Sequence, residues 1–227
     1  MIKVALKDSM GSDLSVVNAA RVSFDKEHEY VKTGDTKLIK YLADNNHWSP
    51  FAHTSVQFRI KAPIFVARQL AKHQVGLSWN EISRRYVDQE PEFYYPKEWR
   101  GKPVDKKQGS SEEIIDINPV TKSGPAMVDD YRHAIKKCIW TYNNLLYKGV
   151  APEMARMVLP QSMFTEWYWT GSVYAFSRVC KQRLGKDAQK ETSEVASLIS
   201  KQCKRIFPIS WGALNNVCDI PRFVRGE

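Results

Sequence analysis

The stretch from Arg68 to Tyr86 constrains this chain more than any other. It reads Arg-Gln-Leu-Ala-Lys-His-Gln-Val-Gly-Leu-Ser-Trp-Asn-Glu-Ile-Ser-Arg-Arg-Tyr, a density of polar side chains that a plain surface helix does not require. Pro63 just before it suits the first turn of a helix, where its missing N–H would have no partner anyway. Ile64, Ala67, Leu70 and Ala71 recur at helical spacing and predict a buried face. Arg68 and Lys72 are four apart, as are Gln69 and His73, so each pair shares a face of that helix. Two cations at this spacing repel mildly, and an anion between them removes the conflict. Gly76 predicts the end of the helix and Ser78-Trp79-Asn80 a turn. Glu81, Ser83, Arg84 and Arg85 predict a loop entering a short strand that ends at Tyr86-Val87.

Ile2, Val4 and Leu6 alternate with Lys3 and Lys7, as in a half-buried strand, so no signal peptide is expected at this end. Asp13 is placed to cap a helix through Val16, Val17, Ala19 and Ala20, and Asp35-Thr36 to cap another carrying Leu38, Ile39 and Leu42. His47-Trp48-Ser49-Pro50 follows as a loop, and Val56, Phe58 and Ile60 predict a strand into Pro63. Lys102 to Ser111, rich in Lys, Gly and Ser, predicts a mobile surface loop within about 100–118. Pro125 opens a long helix whose apolar stripe is Val128, Tyr131, Ile135, Cys138, Tyr142 and Leu145, closed by Gly149. Val and Leu flanking Arg156 on a helix predict its partial burial, with an anion or Glu153 as partner. Met163–Thr170 reads as a strand, followed by a helix to about Arg183 and a last long helix before Pro208. Periodicity therefore gives mixed α and β. Glu90 to Pro125 is rich in Pro, Gly, Lys and Ser but is not read as a boundary, because neither side looks self-sufficient, so one domain over 1–227 is expected.

Lys and Arg total 34 against 25 Asp and Glu, a formal +9 that favours anionic partners without choosing among nucleic acid, acidic membrane and phosphorylated small molecules. No apolar run approaches a membrane span. Cys138, Cys180, Cys203 and Cys218 are widely spaced with no C-x-x-C, which argues against a zinc or dithiol site and for free thiols in a reducing cytoplasm. No G-x-G-x-x-G follows a strand, so a Rossmann site is not expected.

Several phrases, in order, resemble the flavin-dependent thymidylate synthases. Arg68-Gln69, His73, Ser78, Asn80-Glu81, Ser83 and Arg85-Tyr86 match that family's signature. Lys72-His73-Gln74 stands where the family has Arg-His-Arg, and one extra residue lies between Gln74 and Ser83. Val17 to Phe24, His47 to His53, Ala155 to Pro160, Trp169-Thr170 and Ala188-Gln189-x-Glu191 are similar to further family segments, so the resemblance runs from Val17 to Glu191. It implies an α+β fold, a mixed sheet with long packed helices, and a homotetramer with sites between subunits. It implies reductive methylation of dUMP to dTMP, with methylenetetrahydrofolate as carbon donor, NADPH as reductant and FAD passing the hydride. By position it implies that Gln69, Lys72, Glu81, Ser83, Arg84, Arg85 and Arg156 bind the nucleotide. It likewise places Ser23, His47, Ser49, Lys72, His73, Gln74, Glu81, Ser172, Tyr174 and Arg178 at the flavin. Ser23 reads equally well as a plain helix-terminal Ser, and Ser172, Tyr174 and Arg178 match only by place. Arg183 aligns with the family's Arg at the uracil; a helix-terminal Arg facing solvent is the alternative. Two rivals stand beside this reading. One is hydroxymethylation or methylation of a related pyrimidine deoxynucleotide on the same scaffold. The other is a non-catalytic basic nucleic-acid-binding protein.

Overall fold

The computed structural model describes residues 1–87, 89–104, 109–117 and 127–215, apart from the side chains of Met127 and Val128. Pro125, the Val128 side chain, Cys218 and residues 105–108 and 118 of the expected loop lie outside the described residues. Four strands, β1 (Lys3–Met10), β2 (Ser55–Pro63), β3 (Leu77–Glu81) and β4 (Phe164–Gly171), form one sheet in the order β1-β2-β4-β3. Every neighbouring pair is antiparallel, so the expected mixed sheet is corrected to an antiparallel one. Alternation in a strand tells which face a residue takes and is silent on the direction of its partner.

Along β2 that alternation holds: Val56, Phe58, Ile60 and Ala62 are buried, while Gln57, Arg59 and Lys61 point the other way. Trp167 and Trp169 of β4 join the buried face. On the other face Arg59 pairs with Glu166 across the strands at 2.7 Å. The helices are α1 (Asp13–Arg21), α2 (Thr33–Asp44), α3 (Ser49–Ala52), α4 (Ile64–Leu70), α5 (Met127–Tyr147), α6 (Pro152–Ala155), α7 (Val173–Arg183), α8 (Lys190–Ile206) and α9 (Pro208–Asn215). The buried sheet face shares one core with Val173, Phe176 and Val179 of α7, Val195 and Ile199 of α8, and Trp211 of α9. Phe176 meets Phe58 and Trp169 edge to face at 5.0 and 5.3 Å. Each such side chain contributes on the order of 1.5–3 kcal/mol by burial.

Several local expectations are corrected. Ser12, not Asp13, caps α1. Asp13 is buried and accepts the N–H groups of Ile209 and Ser210 at the start of α9, a partner nearly two hundred residues away. Helix α2 starts at Thr33 with Lys32 as its cap. Asp35 lies inside the first turn, buried, where it takes Lys32 N–H and binds Arg21 and His28. On α5 only Ile135 and Tyr142 of the described stripe are buried, because the helix packs on α6 and the following turn and not on the main core. The described parts of 100–117 are tied by backbone hydrogen bonds, Gly101 to Glu113 at 2.9 Å and Ile115 to Trp99 at 2.7 Å.

The signature stretch also folds differently in part. Pro63 ends β2, and α4 runs only to Leu70. Lys72 therefore lies in the turn after the helix and shares no helical face with Arg68. Gly76 takes a left-handed φ of 73°, as a tight turn requires. The chain then enters β3 directly, so Ser78-Trp79-Asn80 is strand, and 82–87 is loop. Ladder pairing with β4 and the stack of Trp79 on Trp167, with centroids 4.4 Å apart, override the turn preference of Ser and Asn. Gly171 permits the close approach at the far end: a Cβ there would lie 2.5 Å from Leu77 Cδ2.

Candidate active site

The end of α4, the turn after it and the end of α7 converge on Arg183. Its Nε donates to His73 Nε2 at 2.9 Å, and its Nη2 donates to the Gln69 carbonyl at 2.9 Å. The Gln69 carbonyl is one of the last of α4 and would otherwise lack a donor. The guanidinium is therefore held, not waving in solvent, which removes the reading of Arg183 as a plain helix-terminal cation. Burial pulls its pKa below the usual arginine range. Acceptance at Nε2 makes His73 a neutral imidazole with its proton on Nδ1. Burial pulls the His73 pKa below the ordinary 6.5, and the nearby Arg183 and Arg178 charges add to this.

Arg183 lines a groove of about 780 Å³ together with Arg68, Gln69, Lys72, Gln74 and Gln189. Lys72 and Gln74 are exposed there. Three cations and four amides, Gln161 being the fourth, set beside the apolar Phe65 and Ala71, suit a phosphorylated, hydrogen-bonding ligand with a flat apolar part. Gln69 is itself clamped: its Nε2 donates to Gln189 Oε1 at 2.5 Å, and its Oε1 accepts from Thr192 Oγ1 at 3.2 Å.

A second cleft of about 570 Å³ holds Glu81, Arg84 and Arg156, with Lys61, Glu153 and Thr165. Glu81 accepts from Thr165 Oγ1 at 2.6 Å and from Trp79 Nε1 at 3.1 Å, which fixes its carboxylate at the end of β3 with lone pairs to spare. Arg156 is exposed, contrary to the expected partial burial. Helix α6 has only four residues, and Arg156 opens the 3-10 turn Arg156–Val158 beside exposed Met154 and Met157. It forms no ion pair with Glu153. In the loop after β3, Ser83 Oγ accepts from the N–H and Nε of Arg85 at 3.3 and 3.2 Å. Arg84 donates to the Gln89 carbonyl, and Arg85 lies over the Tyr86 ring at 5.0 Å. No His lies beside Ser83 to act as its base. Of the expected nucleotide residues, Gln69, Lys72 and Arg183 line the first groove and Glu81, Arg84 and Arg156 the second cleft, while Ser83 and Arg85 line neither.

The expected flavin positions fall along α7 and its neighbours. Helix α3 packs on α7, and Trp48 meets Tyr174 with ring centroids 6.2 Å apart. Ser49 opens α3, and His47 stands edge-on to Tyr41 at 5.8 Å. Tyr174 and Arg178 are four apart on α7, hence on one face, and Arg178 lies close enough to His73 to depress its pKa. Trp48 thus links the His47–Ser49 segment to Tyr174, and Arg178, one turn on, lies near His73 and Arg183. Ser23 is exposed in the 3-10 turn Val22–Phe24 after α1, which packs on α3. Ser172 caps α7, its Oγ accepting from Ala175 N–H at 3.2 Å, a structural duty the sequence did not announce.

Sequence reasoning gave no role to Gln189, Thr192 or Ser193, although Gln189 stands inside a matched phrase. It also missed the Trp79–Glu81–Thr165 link, which needs β3 paired to β4. None of the described thiols lines either cleft. Burial pushes Cys180 up to about 12, and Cys203, buried near Cys180, is also raised well above the thiol range. Among the described residues no helix is long and apolar enough to cross a membrane.

An antiparallel sheet backed by helices, with a held Arg beside a basic groove, is a scaffold suited in charge to a small anionic ligand. The sequence model of the family described as thymidylate synthase complementing protein matches residues 5–209, and the chain belongs to this family, that of the flavin-dependent thymidylate synthases. It is 39% identical over 210 residues to the flavin-dependent thymidylate synthase of Thermus thermophilus, covering 92% of this chain and 74% of that one. It is 38% identical over 213 residues to that of Kosmotoga olearia, covering 94% and 90%. The crystal structure of a UMP/dUMP methylase, PolB from Streptomyces cacaoi, bound with 5-Br dUMP is similar with a TM-score of 0.81 at 31% identity, covering 95% of each chain. The same methylase bound with 5-Br UMP gives a TM-score of 0.77 at 30% identity, covering 95% of this chain and 94% of that one.

Proposed function

We propose that this enzyme converts dUMP to dTMP by reductive methylation, with methylenetetrahydrofolate as carbon donor and NADPH as reductant. The observation that carries the reading is the clamped Arg183 on the wall of a basic groove. Uracil C5 is a weak nucleophile, and Cys180 and Cys203, buried and raised in pKa, are not fit to add to the ring. Activation then falls to electrostatics. A fixed guanidinium stabilises negative charge developing on the N3–O2 side of the ring as C5 attacks the methylene carbon. Two Arg183 donors are already engaged, so the group needs no reordering when the ring arrives. Lys72, Arg68 and Gln74 place further donors around the same groove. When bound, FAD supplies hydride transfer between NADPH and the methylene carbon. His47, Ser49, His73, Tyr174 and Arg178 hold it along α7, with Ser23 and Ser172 at the periphery.

Glu81, Ser83, Arg84, Arg85 and Arg156 hold sugar and phosphate. Their cleft is apart from that of Arg183, and an association of copies that brings one chain's Arg156 cleft against another's Arg183 groove reunites them. On this reading the association is a homotetramer with sites between subunits, as the family resemblance implies, each chain acting as one domain, in the cytoplasm. The net charge of +9 then serves small anions, not nucleic acid.

A second reading has support of its own. PolB is titled a UMP/dUMP methylase, and this chain departs from the family signature at Lys72, Gln74 and the extra residue before β3. On this second reading the nucleotide accepted is UMP or dUMP, and the group added is methyl or hydroxymethyl. Incubation with dUMP or UMP, methylenetetrahydrofolate, NADPH and FAD, followed by mass analysis of the nucleotide, tests both. Product one CH2 heavier from dUMP alone supports the first reading. A CH2O increment, or turnover of UMP at a comparable rate, replaces it with the second.

A further inference from the structure

We propose that Gln189 and Thr192, at the start of α8, are positioning residues that set the Arg183 guanidinium by acting through Gln69. The proposal rests on the role of Arg183 given above. Four contacts carry it. Gln189 Oε1 takes the Gln69 amide proton at 2.5 Å, and Thr192 Oγ1 donates to the Gln69 carboxamide oxygen at 3.2 Å. Together they determine which way the Gln69 amide faces. The backbone carbonyl of the same Gln69 receives Arg183 Nη2 at 2.9 Å. Ser193 Oγ donates to the Arg183 carbonyl at 2.6 Å, so the main chain of Arg183 is held from the same helix turn.

That turn is a firm base. Thr192 is wholly buried, and Glu191 beside it is buried and gripped by Arg100 Nη2 at 2.8 and 3.0 Å. Gln69, by contrast, is the last residue but one of a seven-residue helix, whose final turn has few bonds of its own. A short helix end frays unless something outside holds it. Here α8 holds it, and the carbonyl that orients Arg183 inherits that order. His73 provides the other acceptor, but it lies in a turn and is only partly buried. One acceptor leaves the guanidinium free to rotate about that bond; two fix its plane. The plane matters because a planar fork is directional in a way an ammonium is not.

A misaimed Arg183 would bind the nucleotide nearly as well and serve the transition state less well, since charge on the ring develops only during reaction. Thr192→Val removes the donor at nearly constant volume, and Gln189→Ala removes the acceptor at a half-buried helix cap that tolerates change. Each is expected to lower kcat about tenfold, with KM for dUMP within about threefold and flavin content and melting temperature as in the parent. Thr192→Ser and Gln189→Glu, which keep donor and acceptor, should restore most of the turnover. Calorimetric titration with dUMP should show affinity within about threefold in all four. The proposal is overturned by parental kcat in Thr192→Val and Gln189→Ala, or by losses that the conservative pair shares or that track melting temperature. Arg183→Ala is run alongside. If it loses turnover while Thr192→Val and Gln189→Ala do not, only the positioning role fails. If Arg183→Ala itself keeps turnover, the role of Arg183 fails and takes this one with it.

Discussion

Replacing Arg183 by Ala separates the structural from the chemical work of that side chain. Two hydrogen bonds are lost, to His73 Nε2 and to the Gln69 carbonyl, each 2.9 Å long. A typical net contribution is about 0.5–1.5 kcal/mol per bond, and this site is only partly buried, so the fold loses roughly 1–2 kcal/mol. Against a domain stability of about 5–15 kcal/mol the variant remains folded. The chemical loss is larger. Removing one preorganised donor from a developing charge typically costs about 10²–10³ in turnover, or about 2.7–4 kcal/mol. Arg183→Lys recovers little, because one ammonium cannot reach His73, the Gln69 carbonyl and the groove together. The assay is kcat at saturating dUMP, read beside flavin content and melting temperature. Folded, flavin-loaded Arg183→Ala that turns over dUMP within a few-fold of the parent refutes the argument. Arg156 or Arg85 would then be the cation to replace.

His73 gives a pH prediction. Its folded pKa lies below the ordinary 6.5, so between those two values the unfolded chain holds more protons than the folded one. The His73 contribution is therefore fully kept above 6.5 and lost as pH falls below it; melting temperature across mildly acid pH should drop less in His73→Gln, whose side-chain oxygen still accepts from Arg183. Lys72→Ala, which removes an exposed cation of the groove, should weaken nucleotide or FAD binding, and titrations showing both affinities unchanged would remove Lys72 from the site. Cys180 and Cys203, buried and held protonated, should resist alkylation until the chain unfolds, as peptide mass analysis would show. A variant with all four Cys replaced by Ser or Ala should still turn over dUMP if it folds and keeps its flavin. Loss of turnover in such a folded variant would count against activation without a thiolate.

What the sequence made legible was local and periodic. The alternation of Val56, Phe58 and Ile60 predicted β2 and its buried face, and the spacing of Val195, Leu198 and Ile199 predicted α8, because burial imposes those periods directly. The role of Arg183 was legible only through matched phrases, since its partners His73 and Gln69 are 110 and 114 residues away. Ser78-Trp79-Asn80 read as a turn because its strand character comes from β4, which no local window contains. Arg156 read as half-buried because Val158 and Leu159 suggested a continuing helix, whereas α6 stops after four residues. Asp13 read as a cap for its own helix and in fact serves α9. Two of these misses, at Ser78–Asn80 and at Asp13, depend on a partner distant in the chain, whereas that at Arg156 is a local helix end.

The most direct test of flavin-mediated methylation is the visible spectrum of the purified protein through one catalytic cycle. The account predicts flavin bands that denaturation releases as FAD, that NADPH bleaches in the absence of oxygen, and that dUMP with methylenetetrahydrofolate then restores as dTMP appears. Colourless protein that takes up no added FAD, or bleached bands that dUMP and methylenetetrahydrofolate leave unchanged, would contradict it.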